Sequence, residues 1–218
     1  MNNVVILCDG EFPRKDYPLY LLDSADAVVC CDGAVMKYLR HTRRRFGEER
    51  LPAAVVGDMD TLPKGWQKRL SDLIVHVSEQ DDNDLTKAMR HVLSTWPEVS
   101  EIHILGATGR REDHTVGNLG LLMEYTRLFD LDGIRVDIVS DYSTAFAVTD
   151  SCELHVGAGR RVSLISPDNS LTIKSSGLQW PTDAVVFDAW WPATLNRAVD
   201  DVIKLTFSHP SRALILLD

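Results

Sequence analysis

Short runs of β-branched and other apolar residues alternate with longer helical segments over the first two thirds of the chain. This alternation constrains the fold more than any other feature. In the helical segments apolar residues recur at intervals of three and four, as at Leu85, Ala88, Met89, Val92 and Leu93. The strand-like runs are nearly continuous in apolar residues, which is typical of strands buried on both faces. The pattern therefore predicts an α/β domain with a parallel sheet covered by helices.

The predicted elements of this domain are short. Strands are expected at residues 4–7, 27–31, 54–56, 74–77, 102–105 and 134–139. Helices are expected at residues 33–40, 64–70, 83–96 and 113–128. The basic run at residues 40–45 is interpreted as a solvated loop after the second helix, with nucleotide or anion contact as the alternative.

The pattern changes after about residue 141, where helical periodicity stops and short alternating runs begin. These runs lie at residues 161–165, 171–174, 201–207 and 212–217. We therefore expect two domains, an α/β domain at residues 1–141 and a smaller all-β sandwich at residues 142–218. A lone sheet of that size is marginally stable, so it should pack on the first domain or on a second subunit.

Composition excludes several classes of protein. The chain has 218 residues, and 23 Lys and Arg against 32 Asp and Glu give a net charge of −9. Nucleic acid is a poor partner for such a chain, because non-specific affinity comes from neutralising phosphates with basic side chains. No apolar run approaches the roughly 18 residues that span a bilayer, so we expect no membrane contact and a cytoplasmic location. Cys8, Cys30 and Cys31 lie in apolar runs and are expected to be buried thiols.

Acidic motifs follow the predicted strands, where open parallel sheets bind their ligands. Asp32 and Gly33 follow the second strand, and Gly57, Asp58 and Asp60 follow the third. A lone aspartate there is usually a helix cap or turn former. Two carboxylates separated by one residue would repel each other unless a cation lay between them, and such oxygen-rich sites suit Mg²⁺. Asp58 and Asp60 are therefore predicted metal ligands.

A third motif, Asp81-Asp82-Asn83-Asp84, begins the long helix at residues 83–96. Acids there complement the positive end of the helix dipole, which accounts for one or two of them. It does not account for Lys87, a cation in the first turn. Asp84 and Lys87 share a helix face, so a carboxylate for metal and an ammonium for phosphate could converge on one site.

The fourth motif is a small-residue loop at residues 106–111 that leads into a helix. Thr108, Gly109 and the free N–H groups of such a loop would face an anion, and Arg111 would add a phosphate donor. The alternative is a tight turn capped by Asp113. His114 fits nucleotide contact and a structural hydrogen bond equally well.

The four motifs in series resemble the thiamine pyrophosphokinase family, and the resemblance covers nearly the whole chain. It implies transfer of the terminal diphosphate of ATP to the hydroxyethyl group of thiamine, giving thiamine diphosphate and AMP. It also implies an α/β domain followed by a β-sandwich domain, and a homodimer with active sites at the subunit interface. Arg110 departs from the family pattern, because a second glycine is usual at that position.

The resemblance assigns roles residue by residue. The implied catalytic residues are Asp58, Asp60, Asp84, Lys87 and Asp113, with Mg²⁺ on Asp58, Asp60 and Asp84. The implied ATP-binding residues are Asp32, Gly33, Gly57, Asp81, Thr108, Gly109, Arg111 and His114. The implied thiamine-binding residues are Ser175, Ser176, Trp180 and Asn196.

Three alternatives remain at the level of sequence. The first is a diphosphokinase for another small alcohol, such as a hydroxymethyl pterin. The second is a non-catalytic sensor of nucleotide or thiamine, although a pure binder has little need for converging carboxylates near a polyphosphate. The third is a structural dimerisation protein, which leaves the acids at the strand ends unexplained.

Overall fold

The computed structural model describes residues 2–218, and the chain divides into two compact units. Unit 1 comprises residues 2–118 and 132–141, and unit 2 comprises residues 119–131 and 142–218. Within the described range, no helix has the length and apolar character needed to cross a bilayer.

Parallel strands form the sheet of unit 1. They are β1 (Asn3–Leu7), β2 (Ala27–Cys31), β3 (Ala54–Gly57), β4 (Ile74–His76), β5 (Glu101–Leu105) and β6 (Arg135–Val139). Their order across the sheet is β6-β5-β1-β2-β3-β4, and every neighbouring pair is parallel. The parallel sheet predicted from the apolar runs is confirmed.

Helices cover both faces of this sheet. The helices of unit 1 are α1 (Asp16–Ser24), α2 (Ala34–Phe46), α3 (Lys64–Arg69) and α4 (Asp84–Thr95). Helix α5 (Glu112–Leu128) begins in unit 1 and belongs to unit 2 from Leu119 onward. Val5, Leu7 and Val28 pack in one core cluster with side chains of α1 and α2. Successive strand residues point to opposite faces, and α4 packs against β1, β2 and β3 through its own buried stripe, which includes Leu85 and Met89.

The prediction of a solvated loop at residues 40–45 is wrong, because α2 continues to Phe46. Arginine is a good helix former, and basic side chains are favourable at the negative end of the helix dipole. Thr42 is buried within this stretch, so that turn is held by packing. The helix ends at Gly47, whose N–H donates to the Arg43 carbonyl at 3.1 Å.

Strand order fixes where a ligand can bind. β1 lies between β2 and β5, so the chain leaves β1 toward one side of the sheet and leaves β5 toward the other. The loops after these two strands diverge, which opens a cleft at the carboxyl edge of the sheet.

Unit 2 contains two antiparallel sheets. Its strands are β7 (Thr144–Val148), β8 (Cys152–His155), β9 (Arg161–Ile165), β10 (Ile173–Ser176), β11 (Ala193–Arg197), β12 (Val202–Phe207) and β13 (Ala213–Leu217). One sheet has the order β11-β9-β13-β7 and the other β10-β12-β8. Apolar side chains of both sheets share one core, with Leu164 and Ile215 from the first and Ile173 and Leu205 from the second. The predicted sandwich is therefore present.

Candidate active site

A cavity of about 490 Å³ opens in unit 1 at the carboxyl edge of the parallel sheet. Predicted site residues in its lining are Asp32, Asp58, Asp60, Asp84, Lys87, Thr108, Arg111 and His114. The lining also includes residues that the sequence analysis did not select, among them Cys8, Asp9, Gln80, Arg110 and Asn118. The cavity therefore lies at the point where the strand order reverses.

Three carboxylates converge in this cavity. One oxygen each of Asp32, Asp58 and Asp60 lies within 4.8 Å of the other two. Asp32 is held by Thr61, whose N–H donates to Asp32 Oδ2 at 3.1 Å. Asp58 and Asp60 are joined in the same way, with the Asp60 N–H donating to Asp58 Oδ1 at 3.1 Å. Like charges this close need a cation, a shared proton or strong hydrogen bonds to offset their repulsion.

The second oxygen of Asp32 is unsatisfied. Asp32 Oδ1 is buried and accepts no hydrogen bond from any residue in the described range. Burial raises the pKa of Asp32, and the hydrogen bonds from Thr61 only partly oppose that rise. An acceptor oxygen that is buried, unbonded and beside two other carboxylates fits an oxygen-coordinated divalent cation.

Asp84 lies beside this cluster, although it is not one of the three converging carboxylates. Its Oδ1 is 3.7 Å from Nζ of Lys87, and the Lys87 side chain is almost fully buried. Burial raises the pKa of Asp84; Lys87 lowers it, and the charges of Asp32, Asp58 and Asp60 raise it further. The convergence of Asp84 and Lys87 on one site, predicted from their spacing, is what the geometry shows.

Local structure explains how Asp84 approaches the cluster. Asn83 caps α4, with its Oδ1 accepting from the Thr86 N–H at 2.9 Å, so Asp84 is the first residue of the helix. Gly57 has a φ of +154°, and a Cβ built there would lie 3.1 Å from Asp84 Oδ1. Gly57 therefore makes room for the carboxylate of Asp84.

Asp58 is ionised more readily than Asp32 and Asp84. Gln80 Nε2 donates to Asp58 Oδ2 at 2.9 Å, and this bond, with the one from the Asp60 N–H, lowers the pKa of Asp58. The site thus pairs one carboxyl group of lowered pKa with two, Asp32 and Asp84, whose pKa is raised.

The loop after β5 is fixed on both sides. Asn118 Nδ2 donates to the Ala107 carbonyl at 2.7 Å, and the Gly10 N–H donates to the Gly106 carbonyl at 2.7 Å. A Cβ on Gly10 would overlap that carbonyl oxygen, so the two loops touch only because Gly10 has no side chain. Thr108 is thereby held at the cavity wall.

Some predicted residues do not line the cavity formed by residues 2–218: Gly33, Gly57, Asp81, Gly109 and Asp113. Asp81 is exposed, and its N–H donates to Glu79 Oε2 at 2.9 Å. Asp113 is also exposed and pairs with Arg111, whose Nε is 3.1 Å from Asp113 Oδ1. The roles of these five predicted residues in ATP binding and catalysis remain predictions.

Asp9 is an acid that sequence reasoning missed. It lines the cavity and pairs with Lys37 at 2.8 Å and with Arg110 at 2.7 Å. Its position directly after the first apolar run is the signal that selected Asp32 and Asp58, so the same rule applied to β1 would have found it.

The predicted thiamine residues lie in unit 2. Asn196 is buried, and its side chain bonds both polar main-chain atoms of Trp180: Oδ1 accepts from the N–H at 3.1 Å, and Nδ2 donates to the carbonyl at 2.6 Å. The Trp180 side chain is 55% exposed. Ser175 and Ser176 end β10, and Ser175 Oγ accepts from the Thr182 N–H at 3.0 Å. Asn196 therefore holds the main chain of Trp180, and Ser175 holds the main chain of Thr182. Trp180 itself is exposed to solvent.

Two family models match this chain, one in each part of the sequence. The family model described as thiamin pyrophosphokinase, catalytic domain, matches residues 19–135, and the model of the substrate-binding domain of the same family matches residues 144–212. Thiamine pyrophosphokinase 1 of Oryza sativa subsp. japonica is 29% identical, with 93% of this chain and 82% of that protein covered.

Solved structures share the fold. The crystal structure of thiamine pyrophosphokinase from Bacillus subtilis superposes with a TM-score of 0.73 at 18% identity, covering 100% of this chain and 99% of that one. The yeast thiamin pyrophosphokinase structure gives a TM-score of 0.74 at 17% identity, covering 99% of this chain and 86% of that one. The predicted fold class, an α/β domain followed by a smaller β domain, is confirmed.

Proposed function

The chain belongs to the thiamin pyrophosphokinase family, and on that premise we propose that it transfers the terminal diphosphate of ATP to the hydroxyethyl group of thiamine. The products are thiamine diphosphate and AMP. Residues 1–141 form the ATP-binding catalytic domain in this proposal, and residues 142–218 hold thiamine and mediate dimerisation. A cytoplasmic location remains part of the proposal.

The observation that carries the proposal is the convergence of Asp32, Asp58 and Asp60 around one point, with Asp32 Oδ1 left without a partner in residues 2–218. This donor set fits Mg²⁺, which prefers carboxylate oxygens and is usually bound by few protein ligands together with substrate phosphates. Asp58 and Asp60, predicted from spacing, and Asp32 would hold the ion, and Asp84 lies beside them. Mg²⁺ bound there supplies positive charge that offsets the charge of the transferred diphosphate.

Lys87 and Arg111 also offset the negative charge of the phosphates in this proposal. Lys87 is buried against Asp84, so its ammonium is held in place and directed at the cavity. Arg111 is exposed at the cavity wall and exchanges its Asp113 partner for a phosphate in this proposal. Both side chains position the phosphates so that the thiamine hydroxyl attacks the β-phosphorus in line and AMP leaves. One of the cavity carboxylates takes the hydroxyl proton.

For the thiamine end, we propose that the Trp180 ring stacks on the aromatic, cationic rings of thiamine, with Ser175, Ser176 and Asn196 shaping the segment. The exposed ring of Trp180 supports this role. Other exposed apolar side chains of unit 2 include Trp190, Trp191, Leu195 and Val199. Apolar exposure of this extent supports a homodimer, with the active sites at its interface.

The test of function uses the purified chain with ATP, Mg²⁺ and thiamine, with nucleotides and thiamine species followed by mass spectrometry. We expect AMP and thiamine diphosphate to form in equal amounts. AMP formed only with another alcohol, such as a hydroxymethyl pterin, would retain the donor and reject thiamine. Nucleotide binding without turnover would favour a sensor. Light scattering after size exclusion tests the dimer, and a monomer mass at assay concentrations would reject it.

A further inference from the structure

Two carboxamide side chains join the first turn of α4 to the loop after β5. Asn83 Nδ2 donates to Asn118 Oδ1 at 3.2 Å, and Asn118 Nδ2 donates to the Ala107 carbonyl at 2.7 Å. At the other end, Asn83 Oδ1 accepts from the main-chain N–H of Thr86 at 2.9 Å. A continuous series of hydrogen bonds therefore runs from the main chain of α4 to the main chain of the loop.

The main-chain groups at the two ends fix the orientation of both carboxamides. The Thr86 N–H can only donate, so it requires the oxygen of Asn83 and directs the Asn83 nitrogen toward Asn118. The Ala107 carbonyl can only accept, so it requires the nitrogen of Asn118 and directs the Asn118 oxygen toward Asn83. A flip of either amide would set two donors or two acceptors against each other. The bridge therefore has a single arrangement.

Burial makes this bridge stiff. Asn118 and Thr86 are both buried. A hydrogen bond in such surroundings is stronger than one in water, and a polar group that loses its partner there is costly. Movement of the loop relative to α4 would therefore break hydrogen bonds that water cannot readily replace.

The bridge connects two walls of the cavity that carry the proposed phosphate-binding groups. Helix α4 carries Asp84 and Lys87 in its first turn, and Thr108 directly follows Ala107 in the loop. A diphosphate held between these walls contacts both. Because a misplacement of about 1 Å can lower a rate by about 100-fold, the separation of the two walls matters for transfer.

We propose that Asn118 is a positioning residue, which acts through Asn83 to set the separation between the loop after β5 and the first turn of α4. The loop and the helix then present their phosphate-binding groups in one fixed geometry before substrate binds. The expected effect on rate rests on the proposed function, whereas the bridge itself requires no substrate.

The test is a double-mutant cycle on kcat. Asn83→Thr keeps a hydroxyl that caps α4 and removes the donor to Asn118, and Asn118→Leu removes both ends of the bridge with a side chain of similar size. We expect Asn83→Thr to lower kcat about tenfold in the wild-type background and less than about twofold in Asn118→Leu, because the bridge is already lost there. KM for thiamine should not change. An equal loss in both backgrounds would overturn the proposal, because Asn83 would then act independently of Asn118. Asn169→Thr, at an exposed asparagine of unit 2, is the matched control and should leave kcat unchanged.

A second measurement uses no substrate. Nuclear magnetic resonance of the labelled chain follows the exchange of carboxamide protons with water, and both carboxamides should exchange slowly in the wild type. We expect Asn118→Leu to speed exchange at Asn83 at least about tenfold, because the acceptor is lost. Asn83→Thr should speed exchange at Asn118 by a smaller factor, so the bridge is testable from either side. Fast exchange of both groups in the wild type would overturn the bridge. Slow exchange in a chain that forms no AMP would retain the bridge and reject the proposed function.

Discussion

Asp9 Oδ2 lies 2.7 Å from Nη1 of Arg110, so an ion pair joins the loop after β1 to the loop after β5. Lys37 completes the arrangement from α2: its Nζ is 2.8 Å from Asp9 Oδ1 and also donates to the main-chain oxygens of Asp9 and Gly10. The ion pair between Asp9 and Arg110 fixes the loop that carries Thr108 and Arg111.

Asp9 should therefore act as a positioning residue for the nucleotide. We expect Asp9→Asn to raise KM for ATP about fivefold, since a partly exposed ion pair is worth about 1 kcal/mol, with little change in kcat. Steady-state kinetics with ATP varied at saturating thiamine measures the split. Asp16→Asn, an exposed acid nearby in sequence, is the control and should leave both constants unchanged. An unchanged KM for ATP in Asp9→Asn would show that the pair does not position the loop.

Asp58 tests the metal cluster. Its pKa is lowered by Gln80 and the Asp60 N–H, so it is ionised near neutral pH and available to a cation. We expect Asp58→Asn to reduce kcat at least about 100-fold, the loss typical of removing one preorganised electrostatic group. The circular dichroism spectrum should not change. Asp72→Asn, on the exposed turn before β4, is the matched control. Near-normal activity in Asp58→Asn would mean that the metal assignment is wrong.

Asp32 should show a trade-off between stability and activity. Burial raises its pKa in the folded chain, so the protonated form is favoured by folding and stability is lost as pH rises through the folded pKa. Asp32→Asn removes that charge and keeps an acceptor for the Thr61 N–H. We expect Tm at pH 7 to rise by a few degrees and activity to fall, with the Tm difference shrinking toward pH 4. A lower Tm in the variant at pH 7 would contradict this account.

The sequence was sufficient to predict the parallel sheet and most of the acids. The strands of unit 1 are buried on both faces, so their composition alone distinguishes them, and the ends of parallel strands lie at one edge. Asp58, Asp60 and Asp84 could be placed at that edge because each follows such a run or begins the next helix. Which of these acids form the three-carboxylate cluster was harder to predict. Asp32 joins Asp58 and Asp60 because the Thr61 N–H binds its carboxylate. This contact joins parts of the chain that are distant in sequence.

Other elements could not be predicted from periodicity. Helix α1 has only Pro18, Leu21 and Leu22 buried, and a proline in its first turn reads locally as a turn, although that position tolerates it. The pairing of Lys37 with Asp9 depends on α2 crossing the loop after β1. Strand β11 is interrupted by a register shift between Ala193 and Asn196, so it has no regular alternation to detect.

A buried charge network on β5 and β6 gives a prediction about stability. His103 Nδ1 is 2.6 Å from Asp137 Oδ1, both side chains are buried, and Arg135 binds the other oxygen of Asp137 at 3.0 Å. Burial alone lowers the pKa of His103, but Asp137 and Glu101 outweigh it, so the net shift is upward. The stabilisation by charged His103 is therefore complete below its unfolded pKa and is lost as pH rises through the folded value.

Removing one partner of this network should lower the stability of the fold far more than replacing both His103 and Asp137 with apolar residues. We expect Asp137→Ala to destabilise the chain by about 3–5 kcal/mol, because a buried cation loses its partner. A double variant, His103→Leu with Asp137→Leu, should recover part of that loss. Denaturant unfolding at pH 6 and pH 9 measures both effects. If Asp137→Ala were as stable as wild type at pH 6, the pair would contribute nothing to the folded state.

Asn196 should act on thiamine through Trp180. Its side chain is buried and makes two hydrogen bonds to the Trp180 main chain. Asn196→Ala leaves both main-chain groups without these partners, and we expect KM for thiamine to rise about tenfold, consistent with about 1–3 kcal/mol for unsatisfied buried groups. KM for ATP should not change, because the nucleotide residues lie in unit 1. Trp180→Phe keeps an aromatic face and should cost less than Trp180→Ala. An equal rise in KM for both substrates in Asn196→Ala would indicate a general loss of folded protein, because a local effect on Trp180 would be confined to thiamine.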